Sequence, residues 1–337
     1  AYLFAHNDGD GEFGPDADQD IIKCGSYTGN GSTSGPEINL GFEPQFLMIK
    51  KYSGGTGAWE VVDIMRGFPV DTAGDRVIRW NSSGSENTSL PVGKPTATGF
   101  QITTDEAHVN QSGHGYIYMA IRRGPLAEPT SATDVFTVVK GMAANTSSVP
   151  GFTANHVVDF AISSQTSSSS NVTGTRLLGD TFLSTDATDA ETANSVTRTN
   201  GYQNGFFFTN GGADSTRLAW MWKRAPSYFD VCCYTGNATT RTISHNLGAV
   251  PEMMWVKQRD EARSWYVYHK DTGATKVLVL NETDAADTYN YYWNDTAPTS
   301  SVFTVASNFR VNKSGGTYIA YLFATLAGVS KVGSVSH

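Results

Sequence analysis

A chain of 337 residues with 24 basic and 32 acidic side chains carries a net charge of −8, which excludes a general nucleic-acid-binding surface. Charged residues make up only 17% and aromatics 12%, and the polar load falls on Ser, Thr, Asn and 34 glycines. That is the composition of short strands joined by tight turns, not of a helical, coiled-coil or disordered chain.

In chain order, residues 1–5 (Ala-Tyr-Leu-Phe-Ala) read as a buried-type strand, expected to pair with a preceding unit or a neighbouring chain. Gly9-Asp-Gly-Glu-Phe-Gly14 then spells G-x-G-x-x-G, but Asp8, Asp10 and Glu12 would repel a pyrophosphate, and Pro15 with further aspartates follows instead of a helix. The same stretch is a better cation loop. Asp8, Asp10, Glu12, Asp16, Asp18 and Asp20 set alternating carboxylates in a Gly-rich segment, and Ca²⁺ takes six to eight oxygens in such loops. The alternative is a solvated acidic linker. If Ca²⁺ binds there, a chelator should lower the unfolding midpoint.

From Ile22 the signals are strands. Gln45-Phe-Leu-Met-Ile-Lys50 and Arg76-Val-Ile-Arg-Trp80 are β-rich runs bounded by Gly, Asn and Pro, and Tyr116-Ile-Tyr-Met-Ala-Ile121 reads as buried on both faces. Ser163–Ser170 reads as a flexible loop or a long hairpin tip. No stretch of twelve residues keeps a helical period free of Gly, Pro or β-branched clusters.

These signals recur. Tyr27-Thr-Gly-Asn30 returns as Tyr234-Thr-Gly-Asn237, Asn39-Leu-Gly-Phe-Glu-Pro44 as Asn246-Leu-Gly-Ala-Val-Pro251, Trp59-Glu-Val as Trp265-Tyr-Val, and Val109-Asn-Gln-Ser-Gly113 as Val311-Asn-Lys-Ser-Gly315. A weaker copy, Arg217-Leu-Ala-Trp-Met-Trp-Lys-Arg-Ala-Pro226, matches Tyr116–Pro125. The expected architecture is all-β: three tandem antiparallel β-sandwich, jelly-roll-like units of roughly 100 residues. They fall at 22–124, 125–226 (degenerate, without the Tyr-Thr-Gly-Asn mark) and 227–328. Residues 1–21 read as the end of a preceding unit plus an acidic junction, and 329–337, in which Val329–Ser334 copies Ile22–Ser26, as the start of a next unit or a tail. The chain thus reads as a segment of a longer tandem array.

Candidate chemistry is sparse. Cys24, Cys232 and Cys233 cannot all pair within one chain and read as small buried hydrophobes. Tyr-Thr-Gly-Asn reads as a strand end with a Gly-Asn turn, or as a ligand loop. Trp59 and Trp265 share one strand position and read as core, whereas Trp80, Trp220, Trp222, Trp293, Tyr289, Tyr291 and Tyr292 are sugar-stacking candidates. No G-x-S-x-G, H-E-x-x-H, Walker loop or Cys/His zinc spacing occurs, so no catalytic residue is assigned; an acid pair from distant loops would be a glycosidase's only route.

Tyr234-Thr-Gly-Asn, Trp255-Val-Lys-Gln-Arg-Asp260, Trp265-Tyr-Val-Tyr-His-Lys270, Trp293-Asn-Asp-Thr-Ala-Pro-Thr-Ser-Ser-Val-Phe303 and Val311–Ala324 resemble a repeat found in tandem in tail-fibre and other virion proteins of marine bacteriophages, the cyanophage type especially. The third unit matches best, the first well, and the second departs. The resemblance implies a virion setting and no catalytic residues. The expected function is then that of a phage virion structural protein, a tail-fibre or tail-associated segment attaching to a host-surface glycan or protein. The alternatives are a secreted bacterial adhesin or fibre subunit and a tailspike-like glycan depolymerase. Expected partners are other virion or fibre proteins and further copies of the chain, most simply as a trimer about the fibre axis. The longest weakly polar run, 318–329, is too short for a bilayer helix, so no membrane insertion is expected.

Overall fold

Along Pro44–Lys51, Leu47 and Ile49 are fully buried while Phe46, Met48 and Lys50 are half-buried on the other side, the period of two that a pleated strand imposes. The computed structural model describes residues 1–6, 13–68, 75–144, 150–166, 168–193, 203–206 and 212–335. Among them regular structure is almost wholly antiparallel strand, with one four-residue helix, Phe309–Asn312, and two 3-10 turns. The protein is all-β. It divides into two compact bodies, residues 1–127 with 176–179, and residues 128–175 with 180–337.

The first body is a sandwich. Its large sheet runs Ile22–Thr28, Gly115–Arg122, Pro44–Lys51, Trp59–Asp63, Asp75–Arg79, Asn87–Leu90 in spatial order. Facing it are Glu37–Asn39, Gly99–Ile102 and Gly93–Thr96. Leu47, Ile49, Val62 and Tyr116 from the large sheet meet Phe100 and Ile102 from the small one in a single core.

The second body holds two more six-stranded sheets. One runs Phe136–Met142, Asp214–Trp222, Phe160–Gln165, Ser168–Thr175, Thr181–Ser184, Thr192–Ala193; the other runs Phe229–Thr235, Thr317–Phe323, Met253–Gln258, Tyr266–His269, Lys276–Val279, Asp287–Thr288. Each large sheet of the chain places its first strand beside its last, and its last beside a middle strand. Each of these two is backed by a two-stranded ribbon, Phe152–Thr153 with Gly205–Phe206 and Arg241–Ser244 with Val302–Val305. Within the Ser-rich stretch the strands Phe160–Gln165 and Ser168–Thr175 pair antiparallel, with Gln165 opposite Ser168.

The outer faces of these two sheets pack together. Phe160 lies 4.4 Å from Tyr321 and 5.8 Å from Phe229 between ring centroids, and the Thr175 and Tyr321 hydroxyls are 2.8 Å apart. Phe160, Phe229 and Tyr321 are fully buried. Burial of each such side chain contributes roughly 1.5–3 kcal/mol, so this joint is a second core. It explains why Tyr318–Phe323 is an unbroken apolar run: its strand is covered on both faces, by its own ribbon and by the neighbouring sheet. Polar clamps border the joint. Arg224 and Asp230 form a buried ion pair at 2.8 Å, Glu191 grips Arg259 with both oxygens, and Trp265 donates its indole N–H to the Ser184 carbonyl.

The terminal copies behave differently from the strands that they match. Residues 1–6 lie outside any strand, with Tyr2 and Leu3 more than 90% exposed, and 331–335 are irregular after a Leu326–Ser330 bridge. Thr317–Phe323 is a strand whose neighbours on both sides satisfy its backbone.

Candidate functional site

The recurring Tyr-Thr-Gly-Asn is a structural clamp. Tyr27 stacks on Tyr116 at 5.1 Å and donates its hydroxyl hydrogen to the Val109 carbonyl; Tyr234 stacks on Tyr318 at 5.0 Å and does the same to Val311. Asn110 and Asn312, both fully buried, each accept an N–H from the motif's Asn, residue 30 or 237, and each donate to two carbonyls. A Cβ on Gly236 would sit 2.1 Å from the Lys313 carbonyl oxygen, so only glycine lets the two loops approach. The motif ties the strand end to the facing loop through its tyrosine hydroxyl and its asparagine N–H.

Asp8, Asp10 and Glu12 lie outside the described residues. Asp16 and Asp18 are exposed on a turn closed by the Phe13–Gln19 bridge, and Asp20 pairs with Lys23 at 3.5 Å. Asp18 and Asp20 also act electrostatically on Arg122. Among the described residues no three His, Cys, Asp or Glu side chains converge as metal ligands.

The aromatic candidates separate by burial. Trp293 and Tyr292 are buried in the third core, Trp222 and Trp220 are half-buried, and Trp222 lines the joint beside Phe229. Trp265 is core, whereas Trp59 is half-buried beneath the Lys50 ammonium. Trp80 stays 59% exposed, 5.9 Å from Phe46. Tyr289 and Tyr291, about half exposed, stack on one another at 5.6 Å immediately before the buried Tyr292-Trp293 pair.

The two exposed tyrosines belong to a larger patch. Tyr292 packs 4.9 Å from Tyr266, and Arg310 acts electrostatically on the Tyr266 phenol. Arg310 and Arg263 each set a guanidinium 4.9 Å from the ring of Phe309, which is 45% exposed. Burial pushes the Tyr292 phenol up to about 12 and raises that of Tyr266, so both are neutral hydrogen-bonding groups at ordinary pH. A rigid base of buried rings thus carries exposed aromatic faces and two cations, a combination suited to the C–H face of a sugar and its polar substituents.

Sequence reading found the tyrosines and missed Arg263, Phe309 and Arg310. A signal was available in the repeat itself. Tyr116 donates its hydroxyl to the carbonyl of Ala107, and Tyr318 to that of Phe309, so Phe309-Arg310 stands where the first sandwich has Ala107-His108. Tyr266 stands where it has Glu60, which is buried and paired with Arg79 at 3.1 Å. The aromatic and arginine residues therefore distinguish the last sandwich from the first.

A family model described as a domain of unknown function (DUF7483) matches residues 17–125 and 141–337. No curated protein and no solved structure matches the chain.

Proposed function

The chain belongs to the DUF7483 family, a domain of unknown function, and on that premise we propose a structural and adhesive role: a run of stacked β-sandwiches that carries an attachment patch to a surface glycan. The observation that carries this is the exposed Tyr289–Tyr291 stack seated on buried Tyr292 and Trp293. Exposed aromatics held rigid are what weak, repeated contacts with sugars need, since little side-chain entropy is lost on binding. The joint between the second and third sheets supports the structural half of the reading: neighbouring units that share a core make a stiff spacer.

The three large sheets share one strand order, and we read them as copies of one repeat. The resemblance to tail-fibre and virion repeats of marine bacteriophages makes a virion fibre the setting of this reading, with the host surface as partner. The test has two arms. The full chain should be retained on immobilised host polysaccharide, and Tyr289→Ala with Tyr291→Ala should weaken retention at least tenfold with unchanged circular dichroism. Antibody labelling of intact particles should decorate a fibre. Equal retention of the double variant rejects the patch, and labelling absent from particles rejects the virion setting.

A further inference from the structure

Arg310 differs from the other cations around it. Arg263 and Lys313 share Glu261 as their counter-ion. Glu282 is held by the Ser264 hydroxyl at 3.0 Å, and Asp260 accepts from the Gln258 side chain and the Thr317 N–H. Arg310 has no carboxylate within ion-pair distance among the described residues, and Phe309 covers one side of its guanidinium. The Arg263 Nε is buried with no hydrogen-bond partner among the described residues. A planar cation that is positioned against a ring, and not by an acid, keeps its forked donors for an incoming anion.

We propose that Arg310, with Phe309 and Arg263 beside it, is a subsite for the carboxylate of an acidic sugar, so that the glycan recognised contains uronic-acid-type residues. This rests on the attachment reading above and specifies its ligand. The sugar ring stacks on the exposed Phe309 and Tyr289–Tyr291 faces while its carboxylate takes two N–H donors of Arg310.

The experiment measures retention of the full chain on polygalacturonate, on neutral dextran and on polyglutamate at low and moderate salt. Polygalacturonate should retain the wild-type chain at least tenfold more strongly than dextran or polyglutamate, and free galacturonate, but not free galactose, should compete it off. Arg310→Gln should reduce retention on polygalacturonate to the dextran level, and Arg310→Lys should restore only part, since an ammonium lacks the fork. The competition arm needs no variant and stands even if Arg310→Gln folds poorly. Equal retention on dextran and polygalacturonate, undiminished in Arg310→Gln, leaves attachment standing and overturns the acidic-sugar subsite. Equal retention on polyglutamate overturns the saccharide. Absence of retention on any glycan overturns the attachment reading itself.

Discussion

Asn312 occupies a position where one side chain closes three backbone hydrogen bonds, to Asn237 N–H, Thr239 C=O and Ala306 C=O. Replacing it with alanine strands the buried Ala306 carbonyl and leaves the Asn237 N–H and the Thr239 carbonyl to partial solvation. At roughly 1–3 kcal/mol for a buried unsatisfied group, Asn312→Ala should lose about 2–3 kcal/mol, read from urea denaturation. Asn110→Ala should cost a similar amount in the first body, because its partners are the same in kind. A loss below about 1 kcal/mol in both would mean that the clamp is ornamental. The same scale supports the strand-end reading of Tyr-Thr-Gly-Asn: its tyrosine hydroxyl and asparagine N–H are bonded within the fold.

The strand Met253–Gln258 and the segment 184–191 that lies against it bury Lys257, whose ammonium reaches the Thr188 and Gln258 carbonyls. Burial lowers its pKa to about 8, with Arg263 adding to the fall and Asp189, Asp260 and Glu191 opposing it. In the unfolded chain lysine titrates near 10.4, so between about pH 8 and 10 the unfolded state binds more protons and stability rises with pH. The slope contributed by Lys257 should approach 1.4 kcal/mol per pH unit at most, and Lys257→Met should flatten it in urea midpoints taken from pH 7.5 to 10. A slope unchanged by the substitution would show that Lys257 keeps its proton. At the neighbouring clamp, Arg224→Ala leaves the buried Asp230 carboxylate without its guanidinium. Roughly 3–5 kcal/mol should be lost. The double variant Arg224→Met with Asp230→Leu should lose less than Arg224→Ala alone, which a double-mutant cycle measures.

Within the second body the shared core of Phe160, Phe229 and Tyr321 means that two sandwiches cannot open independently. Hydrogen exchange should give the amides of 160–165 and 319–323 the same opening free energy, and Phe160→Ala should lower both together by about 3 kcal/mol or more. Separate opening energies would make the joint a contact rather than a core. The fibre reading adds that the chain assembles with its own copies. Sedimentation of the full chain should show a closed oligomer, a trimer on the simplest arrangement, and a monodisperse monomer would remove fibre assembly from the proposal.

Composition, turn residues and β-rich runs were enough to determine an all-β antiparallel chain, because strand pairing draws on local signals that every segment carries. Internal matches such as Tyr27-Thr-Gly-Asn30 with Tyr234-Thr-Gly-Asn237 located two equivalent clamps, since the same residues meet the same partners. The candidate site was half legible: Tyr289 and Tyr291 stood out as aromatics, but sequence ranked them with Trp293, which the fold buries, and Trp222, which it half-buries. Only tertiary structure decided that, because exposure depends on what covers a strand's second face. It decided the joint between two sheets for the same reason, and it brought Arg263, from the segment after Met253–Gln258, to Phe309 and Arg310 of the short helix. The pentapeptide Ala-Tyr-Leu-Phe-Ala makes the physical point most simply: between two strands it is buried β-structure, and at residues 1–5 the same letters lie exposed outside any strand.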